Sequence, residues 1–245
     1  MKFSITSAIT TLSLLLLISA TAQTAPPKLV PLPTSHTNRQ IEGWTVRIDD
    51  RLLSGEGAAI GERAIKLLTA RLVEIELVVP EKPLAKLRAV TIQMDLTHGG
   101  LRSMQYHPDA GWLKANGYSE QLAKCVHIPD VHEFISPFEV HRQPNCVLHE
   151  LAHAYHDQVL GFDDPRIIAA YKKYVESGHG KGVLTINGRK QDHYALTNEK
   201  EFFAEMTECY WGTNDFYPFV AGELEKSEPE IYSLLRDIWG PLPGR

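Results

Sequence analysis

His149, Glu150 and His153 fall close together in the stretch CVLHELAHAYHDQVLG, residues 146–161. Residues four apart on a helix share one face, so His149 and His153 can aim two imidazoles at one point. Zinc accepts such nitrogens at about 2.0–2.1 Å. Glu150 is turned away from that line by one residue, which places it beside a metal rather than on it. There it can hold a zinc-bound water and take its proton, the arrangement that metal-assisted hydrolysis needs. Val147, Leu148, Leu151 and Tyr155 supply the apolar surface that buries the helix. Chance produces H-E-x-x-H in about four of a hundred shuffles of a composition this rich in histidine, so a third ligand is required.

His156 is not the expected third ligand. A glycine three residues and a third histidine six residues beyond the second His would mark the all-histidine pattern, but His156 and Val159 occupy those positions. His156 lies two turns from His149, too far to share an ion, and is expected to be solvated or to support a ligand. The alternative is an acid from a second helix. In NEKEFFAE, Glu201 and Glu205 are four apart and flank Phe202 and Phe203. Acids beside a pair of aromatics that require burial need a partner. One of the two can ligate a metal, and the other can accept the second N–H of a ligand histidine.

HELAH, with YALTNEKEFFAE at residues 194–205, resembles the lethal-factor-like zinc metallopeptidases, the family of the catalytic domain of anthrax lethal factor. There HExxH pairs with Y-x-x-T-N-E-x-E-[FY]-F-A-E. The resemblance covers residues 146–212 and does not extend before about residue 140. It implies a zincin-like fold of the gluzincin type and one Zn2+ per chain. It implies His149, His153 and Glu201 as ligands, Glu150 as general base and Glu205 as the acceptor behind a ligand. Tyr194 is implied as the phenol that steadies the oxyanion. A Tyr O–H suits that task because it donates without carrying charge. His193 is a weaker substitute in that role, and Tyr106 and His107 are candidates to line the cleft. The chain is too short for a separate carrier-binding domain, so toxin delivery is not implied.

The elements that must position these residues are legible in outline. Residues 43–53 read as a strand, and 57–79 as an amphipathic helix with Ile65, Leu68, Leu72 and Ile75 at helical spacing, stopped by Pro80. Residues 88–96 read as a strand with Val90, Ile92 and Met94 on one face, and as the sheet edge to which a substrate could add. Helices are expected over 143–160, 165–177, 197–212 and 222–239, with Asn198 capping the third. Asn187-Gly188 marks a hairpin. Helices outnumber strands, which predicts a single α+β domain over 41–245, mostly helical with a small mixed sheet.

Residues 1–22 read as a secretory signal peptide: Lys2, an apolar core, then Ala20-Thr21-Ala22. Its core is too short for a membrane anchor. Residues 23–40, rich in Pro, Thr and Ser, read as an extended arm. The expected location is therefore outside the cytoplasm, extracellular or periplasmic. The formal charge of −5, or −6 without Lys2, argues against a nucleic-acid partner. Secretion permits a disulfide, and Cys125–Cys146 is the expected pair, with Cys209 as a buried thiol. The expected function is a secreted zinc peptidase acting on peptide or protein substrates. The alternative is an inactive zinc-containing binding or structural protein.

Overall fold

A computed structural model describes residues 30–244. The signal peptide expected at 1–22 and the first part of the arm lie outside the described residues. The structure is α+β, mostly helical with a small mixed sheet, as the sequence predicts. Strands β1 (His36–Ile41) and β2 (Trp44–Asp49) form a hairpin, so the chain is already in the sheet inside the stretch read as an arm. The turn takes positive φ at Glu42 and Gly43. Helices α1 (Ala58–Val78) and α2 (Glu81–Arg88) follow, then β3 (Ile92–Met94), β4 (Gln105–Tyr106), α3 (Ala110–Ala115) and β5 (Val126–Ile128).

The sheet order is β1-β2-β3-β5-β4. β2, β3 and β5 run parallel, while β1 and β4 are antiparallel to their neighbours. The segment 88–96 is therefore not the edge. β3 is central and much shorter than expected, and the edge on that side is β4. Alternation in a sequence reports which residues share a face, but not which strands flank them. Here Gln93 is buried as well as Ile92 and Met94, the mark of a strand covered on both faces.

Register divides the sheet into two faces. Val46, Ile92, Val126 and Tyr106 align on one, and Arg47, Gln93, His127 and Gln105 on the other. The apolar face belongs to a core shared with α1, whose Ala64, Leu68, Leu72 and Ile75 are buried at spacings of four and three. Gly61 lets α1 touch the preceding turn, since a Cβ there would fall 2.0 Å from the Leu52 carbonyl oxygen.

Short helices α4 (Val131–Phe134) and α5 (Pro137–Arg142) lead to α6 (Cys146–Tyr155). α6 starts later than expected because Pro144 and Asn145 form a turn. It passes into a π turn over His156–Leu160 and stops at Gly161, whose φ is +84°. Helix α7 (Pro165–Ser177), hairpin strands β6 (Val183–Leu184) and β7 (Lys190–Gln191), and α8 (Glu199–Trp211) match expectation closely. The final predicted helix is two, α9 (Ala221–Ser227) and α10 (Pro229–Trp239). Pro229 lacks the N–H that would continue α9, and it instead starts α10.

The expected disulfide is absent, and Cys125, Cys146 and Cys209 are free thiols. The Cys125 sulfur lies 3.0 Å from an Arg47 guanidinium nitrogen instead, on the polar side of the sheet. Among the described residues, no helix is long and apolar enough to cross a membrane.

Candidate metal centre

Two helices build the site, and each is set by local chemistry. The Asn198 side chain accepts from the backbone N–H of Lys200 and of Glu201, each at 2.9 Å. This fixes the start of α8 and puts Glu201 in its first turn. The rest of α8, Phe202 to Trp211, is buried and packs on α6. α6 also touches β4 and β5, so its polar face is held between the edge of the sheet and α8.

Three atoms meet there. His149 Nε2 lies 3.1 Å from His153 Nε2 and 3.1 Å from Glu201 Oε2, and His153 Nε2 lies 3.3 Å from the same oxygen. Donors about 2.0–2.1 Å from a tetrahedral ion stand about 3.3 Å from each other, so this triangle has the spacing of a ligand set. On the other side of the ring, His149 Nδ1 is 2.6 Å from Glu208 Oε1. A neutral His149 that donates there turns a bare Nε2 toward the Glu201 carboxylate. A proton or a cation must lie between them, and the donor set of two imidazoles and a carboxylate fits a divalent metal.

The acceptor behind His149 is thus Glu208. Glu205, expected in that role, stands 3.7 Å from His149 Nδ1. Glu201, Glu205 and Glu208 lie at i, i+4 and i+7 on one face of α8, so all three approach His149. The seven-residue spacing was visible in the sequence, but it sat beyond the NEKEFFAE segment and was missed. Helix rotation then decides which acid is in line with the ring.

Charge is distributed unevenly among these acids. Burial raises Glu201, but hydrogen bonds with His149 and His153 outweigh it and hold the carboxyl well below its usual range. Burial lowers His149, and its bonds to Glu201 and Glu208 reverse that and raise it well above 6.5. Glu205 is raised well above its ordinary value by burial, then by the charge of Glu208, which favours its neutral form. Asp215, close by, is pushed up to about 7 for the same two reasons.

Glu150 is the neighbour of the triangle that is not part of it. Its Oε2 accepts the backbone N–H of Tyr106 in β4 at 2.7 Å. Burial raises its pKa, against the opposing pull of His149, His153 and that N–H. A buried carboxylate of raised basicity suits a proton acceptor. The site opens into a cleft of about 840 Å³, lined among others by Gln105, Tyr106, Phe138, Arg142 and Tyr194. Tyr194 begins a 3₁₀ turn, Tyr194–Leu196, that packs on α8, and its side chain is about half exposed at the cleft.

The remaining histidines fall elsewhere. His156 is neither solvated nor behind a ligand. It is buried against Phe162 and Phe203, and neither ring nitrogen has a partner. His193 is buried too, stacked on Phe216 with its Nδ1 accepting from Ala195 N–H, so it is no substitute for Tyr194. Tyr106 lines the cleft as expected, while His107 turns inward to His127. Compared with known proteins, the chain matches no family model and no curated protein sequence.

Proposed function

We propose that this protein is a secreted zinc-dependent peptidase with a zincin-like fold, related to the lethal-factor-like metallopeptidases. The observation that carries this reading is the position of Glu150. It borders the His149–His153–Glu201 triangle, faces the cleft and is anchored from the sheet edge by Tyr106. A purely structural metal site has no use for a buried carboxylate of raised basicity at an open cleft.

In this reading His149, His153 and Glu201 hold Zn2+, and Glu208 orients His149. The bound ion supplies Lewis acidity at the scissile carbonyl and toward water. Glu150 takes the proton of the attacking water and returns it to the departing amine. The Tyr194 hydroxyl donates to the oxygen on which negative charge develops. The edge around β4, with Ser103, Met104 and Gln105 along the cleft, holds an extended substrate chain as an added strand.

The test is mass spectrometry of a diverse peptide pool incubated with the full chain, beside Glu150→Ala. The expected result is cleavage by the wild type alone, with zinc content equal in both. If neither cleaves while both hold zinc, the protein is a metal-binding protein without hydrolytic activity. If both cleave equally, Glu150 is not the base.

A further inference from the structure

A second convergence of metal-binding side chains lies on the polar face of the sheet. Asp95, directly after β3, is fully buried. Its Oδ2 is 2.7 Å from His98 Nδ1 and 2.8 Å from His127 Nε2, and its Oδ1 is 2.7 Å from His36 Nε2. The Gln93 amide donates to Oδ2 at 3.0 Å. The three imidazoles come from three separate places in the chain: β1, the loop after β3, and β5. His98 and His127 are themselves buried, with ring centroids 4.7 Å apart.

The arrangement poses a charge problem. A buried carboxylate needs hydrogen-bond donors and is stabilised further by a compensating positive charge. Among the described residues, the ion pairs of Asp95 are with imidazoles alone. A neutral imidazole donates a hydrogen bond but cancels no charge. The four hydrogen bonds compensate part of the buried charge, and a proton on the imidazoles or a cation among them would supply the rest. Ligand atoms of Asp95, His98 and His127 all lie within 4.8 Å of one another. Two imidazole nitrogens and one carboxylate, all buried, offer the donors of a site for a borderline cation, and His36 holds the other carboxylate oxygen from the solvent side. The outer partners of such a site are also present. Gln93 steadies the carboxylate, and His127 Nδ1 faces His107 Nε2 at 3.1 Å, which fixes the His127 ring.

We propose that Asp95, His98 and His127 form a second divalent-cation site, structural in role, with His36 orienting the Asp95 carboxylate, and that Zn2+ is the ion it takes. Binding requires the Asp95–imidazole pairs to open from hydrogen-bond distance to ligand spacing. The site ties β1, the loop after β3 and β5 together. Through His107, the residue after Tyr106, it also steadies the edge strand that anchors Glu150. This inference does not rest on the peptidase reading.

The test uses the full chain with Zn2+ as the only added metal. Bound zinc is counted by elemental mass spectrometry after gel filtration, in the wild type and in His149→Ala/His153→Ala. The expected counts are two and one per chain, and Zn2+ raises the Tm of the double variant by about 5 °C or more. His98→Ala, added to the double variant, abolishes both the bound zinc and the shift. Because His98→Ala can compromise folding, His36→Gln, which removes the partly exposed imidazole that orients the Asp95 carboxylate, provides the second check. In the same background it weakens zinc binding at least about tenfold in chelator competition, with the circular dichroism spectrum unchanged. One zinc in the wild type, none in the double variant and no Tm shift would overturn the proposal and leave a proton-sharing network. One zinc that survives loss of His149 and His153 would support this site and sink the catalytic one.

Discussion

The backbone N–H of Tyr106 donates to Glu150 Oε2 at 2.7 Å, which joins the edge strand of the sheet to the HELAH helix. The same residue is anchored at its other end. Its hydroxyl donates to Asp157 Oδ2 at 2.6 Å, on the π turn that follows that helix, and accepts from the Gln158 amide at 3.0 Å. Glu150 is therefore oriented by a residue that is itself held from both sides.

Tyr106→Phe tests this anchoring. It keeps the backbone N–H and the ring but removes the two hydroxyl bonds. The expected loss is about 1 kcal/mol of stability in urea denaturation. On the proposed peptidase reading, kcat is expected to fall several-fold, far less than in Glu150→Ala. A kcat unchanged despite the stability loss would show that the hydroxyl bonds do not position Glu150.

Glu208 and Glu205 differ in their approach to His149, at 2.6 Å and 3.7 Å from Nδ1. Glu208→Gln removes the charged acceptor behind His149 and is expected to weaken Zn2+ binding about 10–100-fold. Glu205 stands farther from His149 Nδ1, at 3.7 Å, and burial and then the charge of Glu208 favour its neutral form, so Glu205→Gln is expected to change affinity less than threefold or so. Chelator competition at pH 7.5 measures both. The opposite ranking would return the supporting role to Glu205.

Tyr194→Phe removes a donor without changing the shape of the rim. If the hydroxyl acts on the developing oxyanion, kcat falls about 100-fold or more while KM changes little. A rise in KM with kcat intact would instead make Tyr194 a binding residue.

Acid sensitivity follows from His156. Burial lowers its pKa from 6.5 to about 4 in the folded protein. The unfolded chain therefore binds a proton at higher pH than the folded one. The stability contribution is intact above pH 6.5 and is lost as pH falls from 6.5 toward 4. His156→Phe keeps a ring between Phe162 and Phe203 but cannot titrate, and is expected to flatten that limb by on the order of 2 kcal/mol. Equal slopes in urea titrations from pH 7 to 4.5 would rule the histidine out as the cause.

The chain's local patterns determined a good deal by themselves. The period of α1, the cap at Asn198, the turn at Asn187-Gly188 and the four-residue spacing of His149 and His153 are properties of neighbouring residues, so they could be read without a fold. The pair Glu201 and Glu205 was reachable as well, because acids beside Phe202 and Phe203 need a buried partner, while the choice of Glu201 between them came only from the resemblance. What tertiary structure decided were relationships between distant segments. Which strand is the edge depends on β5 inserting between β3 and β4. Which acid stands behind His149 depends on the rotation of α8 against α6, which favours Glu208 over Glu205 by 2.6 Å against 3.7 Å. Asp95, His36, His98 and His127 carry no common spacing at all. They meet because parallel pairing of β2, β3 and β5 places Gln93 and His127 side by side, and pairwise register across a sheet is not encoded in any one stretch of chain.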